Sequence, residues 1–276
     1  MNNPIYIEHL KNLLLDTVNK ERLAYGEYIP LDDNNFNWKL KIIRKIDKFI
    51  RKRDIAICRL SNAETREEGR DWPSYADTMI GLKRLENIQF CFNEIIKDNI
   101  PGDFIETGVW RGGATIFMKA LLNDLKIKDR NVWVADSFEG LPPPNETLYP
   151  EDKGDLHDTK SDHLAISLET VKYNFQKYDL LDDSVKFLKG WFKDTLPTAP
   201  IEKLSIIRLD GDMYESTMDG LVNLYPKLSK GGFIIIDDWG AVEACKKAVI
   251  DYRKTNNITE EIKTIDWTGA YWRKSF

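Results

Sequence analysis

From about residue 100 to the end of the chain, short apolar runs alternate with longer stretches of helical periodicity. The apolar runs have strand length, are rich in β-forming residues and cover residues 104–106, 132–135, 185–188, 204–209 and 233–236. Helical patterns lie between most of them, over residues 113–127, 162–178 and 216–229. Parallel strands need crossover connections, which are usually helices. The alternation therefore predicts an α/β fold with a doubly wound, Rossmann-like parallel sheet covered by helices.

The first hundred residues carry helical patterns instead. Apolar residues recur at helical spacing over residues 4–20 and 39–53, and a third amphipathic stretch runs from residue 80 to the stop at Pro101-Gly102. The other face of 39–53 is basic, which predicts a solvated helix face; an anionic membrane or nucleic-acid surface is the alternative. Because no Pro/Ser/Gly-rich linker divides the chain, we predict one compact unit. It consists of an N-terminal helical cap or lid over residues 1–100 and an α/β domain over residues 101–276.

Composition narrows the class of protein. The formal net charge of −5 gives a general nucleic-acid role no electrostatic support, and no stretch approaches the ~20 apolar residues that a membrane span needs. The first eight residues lack the basic-then-apolar pattern of a signal peptide. Cys58, Cys91 and Cys245 are far apart and odd in number, which indicates reduced, mostly buried thiols. We therefore expect a cytoplasmic protein that binds neither membranes nor nucleic acids.

A glycine-rich turn follows the first predicted strand. In a doubly wound sheet the ligand binds outside the carboxyl ends of the strands. Glu106-Thr107-Gly108 and Gly112-Gly113 stand there, and their glycines either let a ligand approach the backbone or serve a structural turn. The run is not GxGxxG, which argues against an NAD(P)-dependent oxidoreductase. Glu106 would oppose a pyrophosphate and suits a cationic or hydroxyl-rich ligand, such as the amino-acid end of S-adenosylmethionine.

Two further strand ends offer contacts for such a donor. Asp136-Ser137 ends the second predicted strand, where a carboxylate is placed to accept hydrogen bonds from ribose hydroxyls; a turn or helix-cap aspartate is the alternative. Gly190-Trp191 follows the third strand. Its aromatic ring either flanks an adenine or packs in the core.

Acidic residues gather after the fourth and fifth predicted strands. Asp210 and Asp212 follow the fourth strand, and Asp237-Asp238 follow the fifth. Oxygen ligands without histidine favour Mg²⁺ or Ca²⁺ over zinc. The alternative is helix capping by Asp212 and Asp238, although capping does not explain why like charges gather. We expect at least three carboxylates within a few ångströms of one another, with raised pKa values in the absence of a cation.

These residues belong to longer motifs that resemble the macrocin O-methyltransferase family, over roughly residues 5–275. The motifs that carry the resemblance are Asp71-Trp72-Pro73, residues 78–85, residues 101–113, residues 136–142, Gly190-Trp191-Phe192 with Thr195-Leu196-Pro197, residues 209–217, residues 231–238 and Tyr271-Trp272-Arg273. That family methylates sugar or phenol hydroxyls of bacterial natural products. The resemblance implies a class I methyltransferase fold, S-adenosylmethionine as methyl donor and Mg²⁺ as cofactor.

The resemblance also assigns roles to individual residues. It implies that Asp210, Asp237 and Asp238 are the metal ligands, that Asp210 is also the general base, and that Thr78 and Met79 help to cover the donor. Together with the strand-end residues, the predicted donor-binding set is Thr78, Met79, Glu106, Thr107, Gly108, Gly112, Thr115, Asp136, Ser137, Gly190 and Trp191. The predicted partner is a small-molecule hydroxyl acceptor, and we expect a homo-oligomer, a dimer or higher. A non-catalytic donor-binding protein is the rival prediction, against which the clustered carboxylates argue.

Overall fold

The computed structural model describes residues 4–18, 63–71, 73 and 75–275, together with the isolated positions 42, 43, 45, 46, 49, 50 and 53. The strands are β1 (Asp103–Thr107), β2 (Val132–Asp136), β3 (Val185–Lys189), β4 (Leu204–Leu209), β5 (Leu228–Ile236), β6 (Lys263–Thr264) and β7 (Ala270–Arg273). The helices are α1 (Pro4–Leu14), α2 (Ala63–Glu68), α3 (Leu82–Lys97), α4 (Gly113–Asp124), α5 (Ser161–Leu164), α6 (Leu168–Lys177), α7 (Phe192–Thr195), α8 (Tyr214–Leu224) and α9 (Glu243–Thr255). Single 3-10 turns lie at Pro150–Asp152, His157–Lys160 and Tyr225–Lys227.

The strands form a seven-stranded sheet in the order β3-β2-β1-β4-β5-β7-β6. Strands β1 to β5 are parallel, whereas β7 is antiparallel to β5 and β6 is antiparallel to β7. The strand order reverses between β1 and β4, which is the switch point where such sheets bind ligands. The predicted doubly wound α/β fold is therefore confirmed, and the antiparallel β6–β7 hairpin is an addition that the strand patterns did not predict.

Burial on both faces explains the continuous apolar runs of the central strands. Every residue of β4 is buried, as expected for a strand covered by helices on both sides. One face packs against α3 and α4 through residues such as Phe92 and Phe117, and the other packs against α8 and α9 through residues such as Leu221 and Val249. Two residues depart from the apolar pattern of β4, Ser205 and the charged Arg208, which is 1% exposed.

Several helix boundaries differ from the predicted ones for local reasons. The first helix stops at Leu14 rather than residue 20, and Asp16 turns the chain with φ 55°. The stretch over 162–178 divides in two because Ser167 caps α6, accepting a hydrogen bond from the backbone N–H of Thr170 at 3.1 Å. The stretch over 216–229 starts at Tyr214 and tightens into a 3-10 turn from Tyr225.

The described part of the cap packs directly on the α/β domain. Helix α1 buries Ile7, Leu10 and Leu14 and packs against α4, while α3 packs against α4, β4 and β5. The predicted helix over 39–53 falls mostly outside the described residues, as does Cys58. Cys91 and Cys245 are free and buried, as predicted. Among the helices that the structure describes, none is long and apolar enough to cross a membrane.

Candidate active site

A cavity of about 370 Å³ lies at the carboxyl ends of the parallel strands. The predicted site residues that line it are Met79, Gly108, Asp136, Ser137, Trp191, Asp210, Asp237 and Asp238. The other predicted donor-binding residues lie outside its lining: Thr78, Glu106, Thr107, Gly112, Thr115 and Gly190. The strand ends thus bring part of the predicted donor-binding set and all three predicted metal ligands to one cavity. The other predicted donor-binding residues do not line it.

Asp136 holds the turn around the donor side of the cavity. Its Oδ2 accepts a hydrogen bond from the backbone N–H of Val109 at 2.7 Å, and its Oδ1 accepts one from Phe138 at 2.7 Å. Burial raises the pKa of Asp136, and these N–H donors oppose the rise. The turn role named as an alternative is therefore present. Ser137 Oγ also donates to Asp136 Oδ1 at 3.4 Å, so groups within the turn occupy most of the acceptor sites of this carboxylate. A contact between Asp136 and a ribose stays a prediction.

The glycines after β1 are required by contacts within the protein. Gly108 has φ 79°, and a Cβ there would lie 1.7 Å from the main-chain oxygen of Asp210. Gly112 has φ 87°, and its Cβ would lie 2.9 Å from Val171 Cγ1. Both positions need glycine for backbone conformation and packing. The structural role is thus sufficient to explain both glycines. Gly108 lies where β1 and β4 end in close contact, and Gly112 packs against Val171.

Glu106 contacts an arginine rather than the cavity. It is 2% exposed, and its Oε1 pairs with Arg208. Its Oε2 has no hydrogen-bond partner among the described residues. Burial raises the pKa of Glu106 to about 7. A contact between Glu106 and a donor therefore stays a prediction.

Three carboxylates converge between the ends of β4 and β5. Asp210, Asp237 and Asp238 each offer an oxygen within 4.8 Å of the others. Asp237 and Asp238 are buried, and Asp210 is partly buried. The expected convergence is confirmed, and it forms the floor of the cavity that Asp136 also lines.

Helix capping does not account for these acids. The first amide of α8, that of Tyr214, donates to Asp152 at 2.6 Å, so Asp152 occupies the role considered for Asp212. No side chain caps α9, and the N–H of Val242 bonds to the main-chain oxygen of Asp238 at 3.0 Å. The capping alternative was therefore wrong for Asp212 and for Asp238, whose carboxylates are left for other contacts.

Arg208 is the principal counter-charge of the cluster. Its Nη1 donates to Asp210 Oδ2 at 2.8 Å and to Glu106, and its Nη2 donates to Asp237. A charged residue inside an otherwise apolar, fully buried strand needs partners of opposite charge. The arginine within the apolar run 204–209 was thus a sequence signal for buried acidic partners. The strand and motif patterns did not lead to this prediction.

Arg84 of α3 is a second buried counter-charge. Its Nη1 donates to Asp237 Oδ2 at 2.5 Å, and its Nε donates to Asp266 Oδ2 at 3.0 Å. Asp237 and Asp210 therefore have arginine partners that the strand-end pattern did not predict. The reason is spatial, since Arg84 and Asp237 are 153 positions apart in the chain.

The two arginines divide the cluster into a paired and an acidic part. Burial favours the neutral form of Asp237, but Arg208 and Arg84 outweigh it and lower its pKa. The pKa values of Asp210 and Asp238 are raised well above their usual range, first by burial and then by neighbouring carboxylates. The rise expected of crowded carboxylates is confirmed at these two residues. Among the described residues no arginine or lysine forms an ion pair with Asp238, and a cation bound at the cluster would favour the ionised form of both carboxylates.

Two segments that sequence patterns did not assign to the site complete the cavity walls. One wall comes from the cap and includes Gly69, Arg70 and Asp71; the other comes from the β2–α6 connection and includes Leu141 and His157. Trp110, Trp267 and Phe192 add aromatic surface. These walls come from loops that are distant in the chain, and Asp71, Trp110, Leu141 and Phe192 among them belong to the motifs that carry the family resemblance.

A doubly wound sheet with this strand order, a carboxylate after β2 and a carboxylate cluster after β4 and β5 define a Rossmann-like methyltransferase of class I. The macrocin O-methyltransferase (TylF) family model matches residues 3–274, and the chain belongs to this family. It is therefore an O-methyltransferase.

Individual relatives are similar over most of the chain. The demethyldecarbamoylnovobiocin O-methyltransferase of Streptomyces niveus is 54% identical over 212 residues, which cover 77% of this chain and 81% of the relative. The 8-demethyl-8-(2,3-dimethoxy-alpha-L-rhamnosyl)-tetracenomycin-C 4'-O-methyltransferase of Streptomyces olivaceus is also 54% identical over 212 residues, with the same coverage of 77% and 81%. The solved structure of the O-methyltransferase NovP superposes with a TM-score of 0.82 at 44% identity, covering 99% of both chains.

Proposed function

We propose that this enzyme transfers the methyl group of S-adenosylmethionine to a hydroxyl of a sugar, or of a glycosylated or phenolic natural product, with Mg²⁺ at Asp210, Asp237 and Asp238. The observation that carries the proposal is the convergence of these three carboxylates within 4.8 Å in the cavity that Asp136 lines. The named relatives act on demethyldecarbamoylnovobiocin and on a rhamnosyl tetracenomycin, which supports an acceptor of this kind.

The three carboxylates are suitable ligands for Mg²⁺. Carboxylate oxygens are the ligands that this hard cation prefers. Asp238 has no arginine or lysine partner among the described residues, so its charge is available to a cation. When bound, the cation would lower the pKa of an acceptor hydroxyl and hold it, together with a neighbouring hydroxyl where the acceptor has one. This chemistry favours vicinal diols and catechols as acceptors.

The protein's own residues supply position and proton transfer. Methyl transfer is an in-line displacement, so the acceptor oxygen must be held ~3 Å from the methyl carbon on the side opposite sulfur. Asp136 is assigned to the donor ribose, and the Trp191 ring to the adenine. Asp210 is assigned as the base that takes the hydroxyl proton.

A metal-independent mechanism is the alternative within the same enzyme class. Arg84 and Arg208 already balance part of the negative charge, and many methyltransferases rely on proximity alone. In that case Asp210 and Asp238 would be structural charges, and turnover would survive removal of divalent cations. The absence of an arginine or lysine partner for Asp238 among the described residues favours the metal-dependent mechanism.

Donor binding gives the first test. We expect S-adenosylhomocysteine to bind with micromolar affinity and to stabilise the protein by ~2.7 kcal/mol at a concentration of 100 Kd. Asp136→Asn should weaken binding by ~1–3 kcal/mol, because the donor loses a charged acceptor. Calorimetry and thermal unfolding measure both effects.

Asp103→Asn is the matched control for the donor test. Asp103 also accepts a backbone N–H, from Asn131 at 2.8 Å, but it lies at the start of β1, on the opposite edge of the sheet. We expect a lower melting temperature with unchanged donor affinity. Absence of binding to the unaltered protein at millimolar S-adenosylhomocysteine would refute the proposed donor.

A further inference from the structure

Arg84 joins three parts of the molecule. It lies on α3, is 5% exposed, and pairs with Asp237 at 2.5 Å and with Asp266 at 3.0 Å. Its Nη2 also donates to the main-chain oxygen of Gly69 at 3.2 Å. One guanidinium therefore contacts a carboxylate of the proposed cation site, the loop before β7 and the cap.

The surrounding backbone leaves room for this arginine. A Cβ on Gly69 would lie 2.5 Å from Arg84 Nη2, and a Cβ on Gly269 would lie 3.2 Å from Arg84 Cδ. Gly69 also has φ 63°, which favours glycine. Two glycines from separate segments thus flank the Arg84 side chain, and a larger residue at either position would come into close contact with it.

The cap segment at Gly69 is a closed loop, here called the cap loop and defined as residues 66–71, 73 and 75–81. Its two sides approach closely, since a Cβ on Gly69 would lie 2.4 Å from the backbone nitrogen of Gly81. Arg66 pairs with Asp71 at 2.7 Å and donates to the main-chain oxygens of Met79 and Ile80 at 2.7 and 2.8 Å. The cap loop contributes residues to the cavity lining. A displacement of the backbone at Gly69 therefore also moves part of the cavity wall.

We propose that Arg84 is a positioning residue that couples cation occupancy of the carboxylate site to ordering of the cap loop. The inference rests on the proposed metal site. A cation held by Asp237 competes with Arg84 for that carboxylate and repels the guanidinium. The remaining partners of Arg84 are Asp266 and the main-chain oxygen of Gly69, so the arginine then holds the cap loop more firmly. Coupling of this kind is reciprocal, so an ordered cap loop also favours the bound cation.

Hydrogen exchange of the full-length protein tests the coupling without turnover. With MgCl₂ as the probe, we expect amide exchange in peptides covering residues 66–71 and 76–81 to slow by about fivefold or more, within the usual range of coupling between sites. Peptides from β3 serve as an internal reference and should not change. Calorimetry on the same sample measures Mg²⁺ affinity.

Variants of Arg84 separate coupling from a purely structural role. We expect Arg84→Gln to bind Mg²⁺ about tenfold more tightly, because Asp237 loses a competing positive charge, and to lose the Mg²⁺-dependent protection of the cap loop. Arg84→Lys retains the charge but lacks the fork that bridges three partners. It should therefore keep Mg²⁺ affinity within about threefold and also lose the protection. If Arg84→Gln does not fold, Arg84→Lys alone decides.

Arg70→Ala is the matched control. Arg70 lies beside Gly69 and stacks over the Trp267 ring at 4.6 Å. Its ion pair is with Glu68, and among the described residues the arginines paired with Asp237 are Arg84 and Arg208. It should keep the Mg²⁺-dependent change in protection. Mg²⁺ binding without protection of the cap loop, or weaker Mg²⁺ binding by Arg84→Gln, would overturn the inference and leave the proposed function standing. Absence of Mg²⁺ binding to the unaltered protein would overturn both.

Discussion

Asp238→Asn is expected to lower kcat by about 10²–10³-fold, the scale of losing one electrostatic stabiliser of a transition state, while S-adenosylhomocysteine affinity changes little. Asp238 is buried, has no arginine or lysine partner among the described residues, and has a raised pKa. Asparagine keeps its shape and removes its charge. Loss of kcat with unchanged donor binding means loss of transition-state stabilisation rather than of binding. Steady-state kinetics and calorimetry with the donor product measure the two quantities.

The other ligand positions give a less direct result. Asp210→Asn should lose at least as much turnover, because it removes the proposed base together with a ligand. Asp237→Asn also takes a partner from Arg84 and from Arg208, so its loss of activity will include a loss of stability. Asp219→Asn is the comparison, since Asp219 lines the same cavity outside the cluster. We expect it to lose under about tenfold; a loss equal to that of Asp238→Asn would remove the special role of the cluster.

Arg208→Met should produce the largest loss of stability, about 3–5 kcal/mol, the usual cost of removing one partner from a buried ion pair. Arg208 is 1% exposed and pairs with three carboxylates, those of Glu106, Asp210 and Asp237. Methionine fills a similar volume but leaves these acids without their shared counter-charge. The melting temperature should fall by about 6–20 °C, at roughly 2–4 °C per kcal/mol.

Arg273→Met is the control for Arg208→Met. Arg273 lies on β7, and its guanidinium pairs with Asp98 at 2.5 Å and Glu94 at 4.0 Å, where all three side chains remain more than a quarter exposed. Surface pairs of this kind contribute ~0–1 kcal/mol. Thermal unfolding of the two variants should therefore differ clearly. Equal, small losses would show that the buried acids do not depend on Arg208.

The sequence predicted those parts of the fold that repeat along the chain. Central strands such as β4 are buried on both faces, so their apolar runs are continuous and readily recognised. Strand β7 alternates buried and half-buried residues over only four positions, and β6 consists of two exposed ones. Such short, partly exposed strands leave little signal, which is why the hairpin was not predicted.

The same distinction applies to the site. The carboxylates were predictable because they stand directly after β4 and β5, and neighbouring parallel strands end at one edge of a sheet. The pairing of Asp237 with Arg84 was not, because Arg84 lies on a helix 153 positions earlier in the chain. Pairing across such a distance depends on tertiary packing, and local periodicity carries no information about it.

The most direct test of the account is methyl transfer from S-adenosylmethionine to a glycosylated acceptor with vicinal hydroxyls, measured by product mass before and after chelation of divalent cations. Because Asp210, Asp237 and Asp238 each offer an oxygen within 4.8 Å of the others, we expect turnover to disappear in EDTA and to return when Mg²⁺ is added. Elemental analysis of the chelated protein confirms that the metal has been removed. Full turnover by protein shown to be metal-free would contradict the account and leave Asp210, Asp237 and Asp238 as structural charges around Arg84 and Arg208.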